Sequence, residues 1–238
     1  MATSMKSVAF HNLGCKVNSY ELDVMMQMLQ EKGYQIVPFD QYADIYIINT
    51  CTVTNIADRK SRQMLHRAKQ QNPDAVVVAV GGYVQTGLEN IEKDDSIDLC
   101  IGNNRKASLL EILEQFLKER ESADKTLDGT SVIDINQEPE YENMTLYATS
   151  EHTRAYIKIQ DGCNQFCSYC AIPLARGRVR SRREEEILEE IRGIAQKGYR
   201  EIVLTGIHIS SYGIDFHDAH PVYTGQGYLI DLLEKIDK

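Results

Sequence analysis

Three cysteines lie close together in the second half of the chain. Cys163, Cys167 and Cys170 form a Cys-x3-Cys-x2-Cys loop directly after a predicted strand. Thiolates are the usual ligands of iron–sulfur clusters. Because a four-iron cluster has four corners, three thiolates leave one iron open, and an open metal position can bind a substrate. The spacing therefore predicts a [4Fe-4S] cluster with an open iron. Zinc or three unconnected thiols are the alternatives, although no fourth zinc ligand stands nearby in the sequence.

A second loop is expected beside the cysteine loop. The next predicted strand ends at Thr205 and is followed by Gly206. Parallel α/β folds bind ligands at the C-terminal ends of their strands, and a glycine there lets the backbone approach a ligand closely. We therefore expect Thr205 and Gly206 to contribute to cofactor binding. An ordinary strand-to-loop glycine is the alternative.

Two further cysteines follow predicted strands in the first half. Cys15 follows the first strand and Cys51 the second, so both fall on the C-terminal edge of one sheet. The loop after the third strand carries Gly82, where a thiol would complete a three-ligand set. Taken alone, Cys15 and Cys51 could equally be small buried apolar residues. Cys100 lies within an apolar strand and is predicted to pack in the core.

An arginine-rich stretch follows the cysteine loop. Its members are Arg176, Arg178, Arg180 and Arg182. The formal net charge of −9 argues against a protein that binds nucleic acid over its whole surface. A local basic face is compatible with that charge, and a solvated surface is the plain alternative.

Strands and helices alternate in the first half and would position these residues. Apolar residues recur at helical spacing before Gly33, and Asn18 with Glu21 resembles a capping box. Further helices are predicted at 57–70 and 105–121. The predicted strands are 7–13, 44–49, 75–80 and 98–101. This alternation predicts a parallel, doubly wound α/β sheet.

The remaining sequence divides into a polar stretch and a second α/β unit. Residues 119–149 are weakly periodic and predict a linker with a short strand near 132–135. After it we expect strands at 154–159 and 201–205 and a last helix at 226–236. Ser181 and Glu184 form the capping box of an intervening helix. The predicted domains are therefore 5–118, a linker at 119–149, and 150–238, the last holding about two β/α units.

The bulk composition is that of a globular protein. Hydrophobic residues make up 42% and charged residues 26% of the chain. No apolar run reaches the roughly 18 residues that a membrane span needs, and residues 1–6 lack the apolar core of a signal peptide. We therefore predict a cytoplasmic protein with no membrane association. In that compartment the six cysteines are not expected to form structural disulfides.

Longer motifs around these cysteines resemble one known family. Residues 13–18 read LGCKVN, residues 48–54 read INTCTVT, and residues 161–170 read DGCNQFCSYC. All three are similar to the radical SAM (S-adenosylmethionine) methylthiotransferases. The stretch RGRVRSR at 176–182 most resembles the branch that modifies N6-threonylcarbamoyladenosine at position 37 of tRNA.

The resemblance implies a fold and a set of ligands. It implies an N-terminal domain with an auxiliary cluster, a partial radical SAM barrel, and a small C-terminal RNA-binding barrel. Cys163, Cys167 and Cys170 would hold the cluster whose open iron binds SAM, with Tyr169 near the adenine. Auxiliary-cluster ligands would be Cys15 and Cys51. Gly82 stands where the family has the third auxiliary cysteine.

The same resemblance implies a chemistry and its partners. Reductive cleavage of SAM gives a 5′-deoxyadenosyl radical that removes hydrogen from C2 of the modified adenine. Sulfur would come from the auxiliary cluster and the methyl group from a second SAM. The partners would be tRNA, with Arg176, Arg178, Arg180 and Arg182 as candidate phosphate contacts, and a reductant protein of the flavodoxin or ferredoxin type.

Two alternatives and one further expectation accompany this interpretation. The ribosomal-protein branch of the family methylthiolates an aspartate instead of tRNA. A non-catalytic fragment that binds at most one cluster, or zinc, is the second alternative, suggested by Gly82 and by the early end of the second domain. The chain is therefore expected to be an N-terminal fragment that stops within its barrel.

Overall fold

The computed structural model describes residues 6–91, 93–121, 129–138, 140–147, 154–216 and 227–237. The helices are α1 Lys16–Glu31, α2 Asn55–Gln71, α3 Gly82–Ile91, α4 Leu109–Glu121, α5 Ile172–Arg176, α6 Glu184–Gln196 and α7 Tyr228–Ile236. The strands are β1 Ser7–Asn12, β2 Gln35–Val37, β3 Ile45–Thr50, β4 Val76–Gly81, β5 Leu99–Ile101, β6 Thr130–Ser131, β7 Ala155–Lys158, β8 Gln160–Asp161, β9 Arg180–Ser181 and β10 Ile202–Thr205. None of the helices in these ranges is long and apolar enough to span a bilayer.

A six-stranded parallel sheet forms the first half and confirms the predicted doubly wound fold. Its strand order is β2-β1-β3-β4-β5-β6. Every residue of the central strands β3 and β4 is buried. Alternate residues serve opposite faces: Val78 and Val80 pack towards α1 and α4, whereas Val77 and Ala79 pack towards α2 and α3. Because helices cover both faces, these strands are continuously apolar.

Several elements of the first half were not expected. Strand β2 and helix α3 were not predicted from the pattern, and α3 begins at Gly82 itself. Helix α3 was not predicted because Gly82 and Gly87 interrupt its apolar spacing. Its backbone also departs from helical geometry at Gly87. Cys100 packs in the core, as predicted.

The stretch predicted as a linker is packed against the first domain where it is described. Strand β6 extends the sheet from this stretch, and Met144 and Leu146 join the main core. The strand lies at 130–131 rather than near 132–135. The division at 118 and 150 stays a prediction. Residues 5, 122–128, 139, 148–150 and 238 lie outside the described residues.

The second half pairs its strands in two small sheets. Strand β7 runs parallel to β10, with α6 between them in the chain, which confirms the predicted β/α order. Strands β8 and β9 pair antiparallel and bring the two ends of the cysteine-rich loop together. Helix α7 forms the end of the predicted helix at 226–236, whose first residue lies outside the described residues.

Both predicted capping boxes are wrong. Helix α1 begins one residue after Cys15, and α6 one residue after Arg183; neither of these residues caps through its side chain. Asn18 lies inside α1 and is 3% exposed. Ser181 instead donates its hydroxyl to Asp215 at 2.6 Å. In each case the polar side chain forms a hydrogen bond with a residue far away in the chain, and local spacing cannot reveal such a partner.

A buried ion-pair cluster joins the two halves at Glu21 of α1. Its carboxylate is 1% exposed and pairs with Lys158 at 2.8 Å and with Arg176 at 3.0 Å. Lys106 also contacts it. Asp161 completes the cluster and pairs with Lys158 at 2.9 Å and Arg176 at 3.0 Å. Each carboxylate therefore compensates cations that would otherwise be buried and unpaired.

A second buried link joins α1 to α6. Glu190 accepts the amide N–H of Leu146 at 2.9 Å and lies 3.1 Å from the hydroxyl of Tyr20. Arg182 pairs with Glu190 and donates to the hydroxyl of Thr145 at 3.1 Å. The two links fix the position of the second half against α1.

The ion-pair cluster controls the protonation of its carboxylates. Burial by itself raises the pKa of Glu21, but Arg176, Lys106 and Lys158 outweigh it and hold that pKa well below its usual range. Burial also opposes ionisation of Asp161, and Arg176 and Lys158 again prevail, so its pKa is lowered. Burial lowers the pKa of Lys106; Glu21 opposes this shift, whereas the neighbouring cations Arg176 and Lys158 add to it. A carboxylate with a lowered pKa stabilises the fold above its unfolded pKa, and this contribution is lost on acidification.

Removing the Glu21 charge should test this linkage. At pH 7 we expect Glu21→Gln to lower the free energy of unfolding by about 3–5 kcal/mol, because three cations lose a buried partner. The difference from the parent chain should shrink as the pH falls below about 4, where the unfolded carboxyl protonates. Urea unfolding at several pH values measures this.

The control is Glu121→Gln, which removes an exposed partner of Lys6. That change should cost less than about 1 kcal/mol. An equal cost for both substitutions, or a cost for Glu21→Gln that does not depend on pH, would contradict the linkage.

Candidate functional site

The cysteine-rich loop leaves and re-enters the fold at one place. It follows β8 and leads through α5 to β9, and because these strands pair, its ends are held together. The amide of Cys163 donates to the carbonyl of Gly177 at 3.1 Å, and that of Cys170 to Cys167 at 2.9 Å. All three cysteines are free; Cys167 is exposed and the other two are half-buried. Three thiols thus stand accessible on one tethered loop.

Glycine is required where this loop begins. Gly162 has a φ of +70°, and a Cβ atom there would lie 1.8 Å from the carbonyl oxygen of Arg178. Phe166, in the middle of the loop, also has a left-handed φ of +46°. A left-handed aromatic residue is strained, and such strain concentrates at functional sites.

The donor set of this loop suits an iron–sulfur cluster. Three unpaired thiols within one loop are the ligand type that iron–sulfur clusters use. Across the described residues, no three Cys, His, Asp or Glu side chains converge tightly enough to hold a metal ion. A zinc site needs four ligands that meet at one centre, whereas the thiolates of an iron–sulfur cluster bind separate irons.

The loop after β10 lies beside the cysteine loop, as predicted. Thr205 pairs in register with Lys158 at the ends of β10 and β7. Gln160 joins the two loops: its side-chain Oε1 accepts the backbone amide of His208 at 2.8 Å, and its Nε2 donates to the carbonyl of Gly162 at 2.7 Å. A Cβ atom on Gly206 would lie 2.9 Å from the same Gln160 oxygen. Gln160 was not singled out from the sequence, and nothing in its spacing marks it.

The loops that carry Cys15, Cys51 and Gly82 converge at the edge of the large sheet. A Cβ atom on Gly14 would lie 3.3 Å from Cβ of Cys51. One on Gly82 would lie 3.3 Å from a methyl group of Thr52. Cys15 is exposed and Cys51 half-buried. The structure therefore brings two thiols and one glycine together on three adjacent loops.

Two exposed aromatic residues stand on the cysteine loop. Tyr169 is 90% exposed. Phe166 is partly covered by Arg178, whose guanidinium carbon lies 4.2 Å from the centre of the ring. Arg178 itself is exposed.

The other three arginines of this stretch are buried, which corrects the prediction that they contact phosphate. Arg176 pairs with Glu21 and Asp161, and Arg182 pairs with Glu190. Arg180 is 1% exposed and donates to the carbonyl of Arg176 at 2.9 Å. Charge composition suggested a basic face, but Glu21, an acidic partner of Arg176, comes from a distant part of the chain.

Two family descriptions match the chain in separate segments. Residues 7–102 match "Uncharacterized protein family UPF0004", and residues 157–228 match "Radical SAM superfamily". The first segment covers the large sheet through β5, and the second begins in β7 and includes the cysteine loop.

Curated proteins with similar sequences modify tRNA. The chain is 44% identical over 214 residues to the threonylcarbamoyladenosine tRNA methylthiotransferase MtaB of Bacillus subtilis, a match that covers 90% of this chain and 46% of that protein. The MtaB of Aquifex aeolicus is 44% identical, with 87% and 49% covered. A tRNA-2-methylthio-N(6)-dimethylallyladenosine synthase of Methylacidiphilum infernorum is 33% identical, with 98% and 49% covered. The chain thus spans about half the length of these relatives.

A similar fold occurs in the radical S-adenosylmethionine methyltransferase TsrM of Kitasatospora setae. Its structure with tryptophan and a SAM analogue aligns with a TM-score of 0.57 over 97% of this chain and 50% of that one, at 16% identity. A second structure of TsrM, with cobalamin and a [4Fe-4S] cluster, gives the same TM-score over 98% and 52%. At this identity the likeness concerns the fold.

Alanine substitutions at Gly82 and at Gly162 should have different effects on the free energy of unfolding. Gly82→Ala should change the free energy of unfolding by less than about 1 kcal/mol, because Gly82 has no left-handed φ and an added Cβ would meet Thr52 no closer than 3.3 Å, at its methyl group. Gly162→Ala should cost at least about 2 kcal/mol, because it combines a left-handed φ with a backbone clash. Thermal or urea unfolding measures both changes.

Gly193→Ala in α6 serves as the control, since a Cβ atom there has no neighbour within 4 Å. It should be neutral or slightly stabilising. Tolerance of Gly162→Ala would contradict the tight turn at the start of the cysteine loop.

Proposed function

We propose that this chain, as a member of the radical SAM methylthiotransferases, acts in adding a methylthio group to C2 of N6-threonylcarbamoyladenosine at position 37 of tRNA. Its UPF0004 domain precedes a radical SAM domain, as the family requires. The 44% identity to two proteins named as threonylcarbamoyladenosine tRNA methylthiotransferases supports this substrate over the dimethylallyladenosine of more distant relatives. Because the chain spans about half the length of those relatives, their whole activity is a proposal for this chain.

One observation carries the proposal. Three free thiols, those of Cys163, Cys167 and Cys170, stand on a loop tied at its base by β8 and β9. Gln160 connects that base to the loop of Thr205 and Gly206. The cysteine loop and the loop of Thr205 and Gly206 lie side by side at the C-terminal ends of parallel strands, where α/β folds bind ligands, and this supports the proposal of a cluster and SAM there.

We assign roles to these residues accordingly. Cys163, Cys167 and Cys170 would hold a [4Fe-4S] cluster with one open iron, and Tyr169, Thr205 and Gly206 would line the space for SAM. When bound, such a cluster supplies the electron for reductive cleavage of SAM. A reductant protein of the flavodoxin or ferredoxin type would deliver this electron to the cluster. The chain's part is to orient the cofactor and exclude water and oxygen.

The second thiol site is proposed to be incomplete in this chain. Cys15 and Cys51 would supply two ligands of an auxiliary cluster, and Gly82 offers none. The backbone of Gly82 nevertheless accepts a side chain, because its nearest neighbour is a methyl group of Thr52. Binding of one cluster rather than two is therefore the expected state.

Contact with tRNA is proposed for the exposed rim of the cysteine loop. Arg178 is the member of the arginine stretch that reaches solvent, and it stacks on Phe166. A guanidinium stacked on an aromatic ring can bind a phosphate or a base, since both groups keep a free surface.

Iron analysis tests the cluster assignment. After anaerobic reconstitution we expect about four irons and four sulfides per chain, and an electron paramagnetic resonance spectrum of the reduced protein that changes when SAM is added. Alanine at Cys163, Cys167 or Cys170 should lower the iron content by at least half. Cys100→Ala, in the core, is the control and should retain it.

Gly82→Cys should raise the iron content towards about eight, because it supplies the third thiolate of the second site. Iron that is indifferent to all three loop cysteines, or a spectrum that ignores SAM, would refute the cluster assignment.

Nucleoside analysis tests the substrate. In a strain that lacks the gene, mass spectrometry of tRNA hydrolysates should show loss of 2-methylthio-N6-threonylcarbamoyladenosine and accumulation of N6-threonylcarbamoyladenosine. The dimethylallyladenosine derivatives should be unaffected and serve as the internal control. Unchanged methylthio-nucleosides together with loss of a modified aspartate on a ribosomal protein would favour the other branch of the family.

A further inference from the structure

We propose that the buried contact between Arg176 and Asn18 is a positioning device that holds the Cys15 and Cys51 loops in a fixed arrangement relative to the Cys163–Cys170 loop. The proposal deepens the proposed function and rests on it, because it gives the two cysteine sites a shared frame. Neither residue would touch the reacting groups; both act through the loops they hold.

Arg176 fastens the base of the three-cysteine loop. Asp161 stands just before Gly162 and Cys163, and Arg176 ends the helix α5 that follows the loop. Arg176 donates to both carboxylate oxygens of Asp161 at 3.0 Å. The ion pair therefore closes the loop across its two ends, in addition to the pairing of β8 with β9.

Asn18 fastens the other two loops. Its Nδ2 donates to the carbonyl of Leu13 at 2.8 Å, two residues before Cys15, and to the carbonyl of Thr50 at 3.3 Å, one residue before Cys51. Its Oδ1 lies 3.8 Å from the sulfur of Cys15. One amide group of α1, 3% exposed, thus holds a backbone carbonyl within two residues of each of the two cysteines.

Arg176 and Asn18 contact each other directly. Arg176 donates a guanidinium N–H to Oδ1 of Asn18 at 2.7 Å. The same guanidinium reaches Glu21, one helical turn further along α1, at 3.0 Å. A planar group with five donors can serve Asp161, Asn18 and Glu21 together, whereas a lysine ammonium has three donors on one atom.

The amide side chain of Asn18 suits a role in positioning the loops, which goes beyond joining the two halves. The Glu21–Lys158 and Glu190–Arg182 pairs already join the two halves through residues outside the cysteine loops. Asn18 adds a group that must donate on one side and accept on the other, which an amide does and a carboxylate does not. Its partners are the residues that precede the thiols.

The test is hydrogen exchange of backbone amides in the 238-residue chain, without added iron. In Asn18→Asp the carboxylate still accepts from Arg176 but cannot donate to Leu13 and Thr50. We expect exchange to become about tenfold faster at 13–18 and 50–54, with 162–177 and the central strands unchanged. In Arg176→Lys, exchange should rise in both the 162–177 segment and the 13–18 segment.

Asn12→Asp is the matched control. Asn12 lies at the end of β1; its Nδ2 donates to the hydroxyl of Ser19 at 3.0 Å and its Oδ1 accepts from Nδ2 of Asn49 at 3.5 Å, so its side chain bonds neither Arg176 nor the two loop carbonyls. Exchange at 50–54 and 162–177 should not change in this variant. If Arg176→Lys fails to fold, Asn18→Asp decides the question by itself.

Uniformly faster exchange in Asn18→Asp would show a role in global stability only and would overturn the proposal. Unchanged exchange at both cysteine loops would overturn it as well. Because the measurement needs no cluster, its failure is distinct from failure of the proposed function, which absent iron at Cys163, Cys167 and Cys170 would reveal.

Discussion

The fold depends on satisfying several buried charges at once where its two halves meet. Glu21 pairs with Lys106 of the first half and with Lys158 and Arg176 of the second, and Asp161 shares these last two cations. A buried ion that loses its partner costs several kcal/mol, so the halves cannot slide past each other without breaking several pairs together. The junction is therefore specified by geometry as well as by apolar packing.

This constraint has a direct consequence for the thiols. Asp161 and Arg176 stand at the two ends of the cysteine-rich segment, so fixing the junction also fixes the base of that loop. The loop itself stays accessible, with Cys167 and Tyr169 exposed. Such a division suits a cofactor site: the frame is rigid and buried, and the ligating groups stay free to bind.

The two cysteine sites differ in completeness. The radical SAM segment supplies three thiols and an adjoining loop that Gln160 joins to it. The UPF0004 segment supplies two thiols and places Gly82 beside Thr52. Relatives at 44% identity are named for a tRNA modification and are about twice as long. The geometry of this chain thus concerns the part of such a protein that would bind the cofactors.

Sequence alone determined the parts whose signal is local or periodic. Continuous apolar runs predicted the buried strands β3 and β4, and the spacing of Cys163, Cys167 and Cys170 indicated a cluster loop. Tertiary structure decided the roles of the polar residues. Asn18 and Ser181 read as helix caps, and Arg176, Arg180 and Arg182 as a basic face, yet all five are buried. Asn18, Arg176 and Ser181 take partners far away in the chain. The helical and strand periods of a sequence indicate which residues face the core. No local pattern indicates which two buried charged residues will pair with each other.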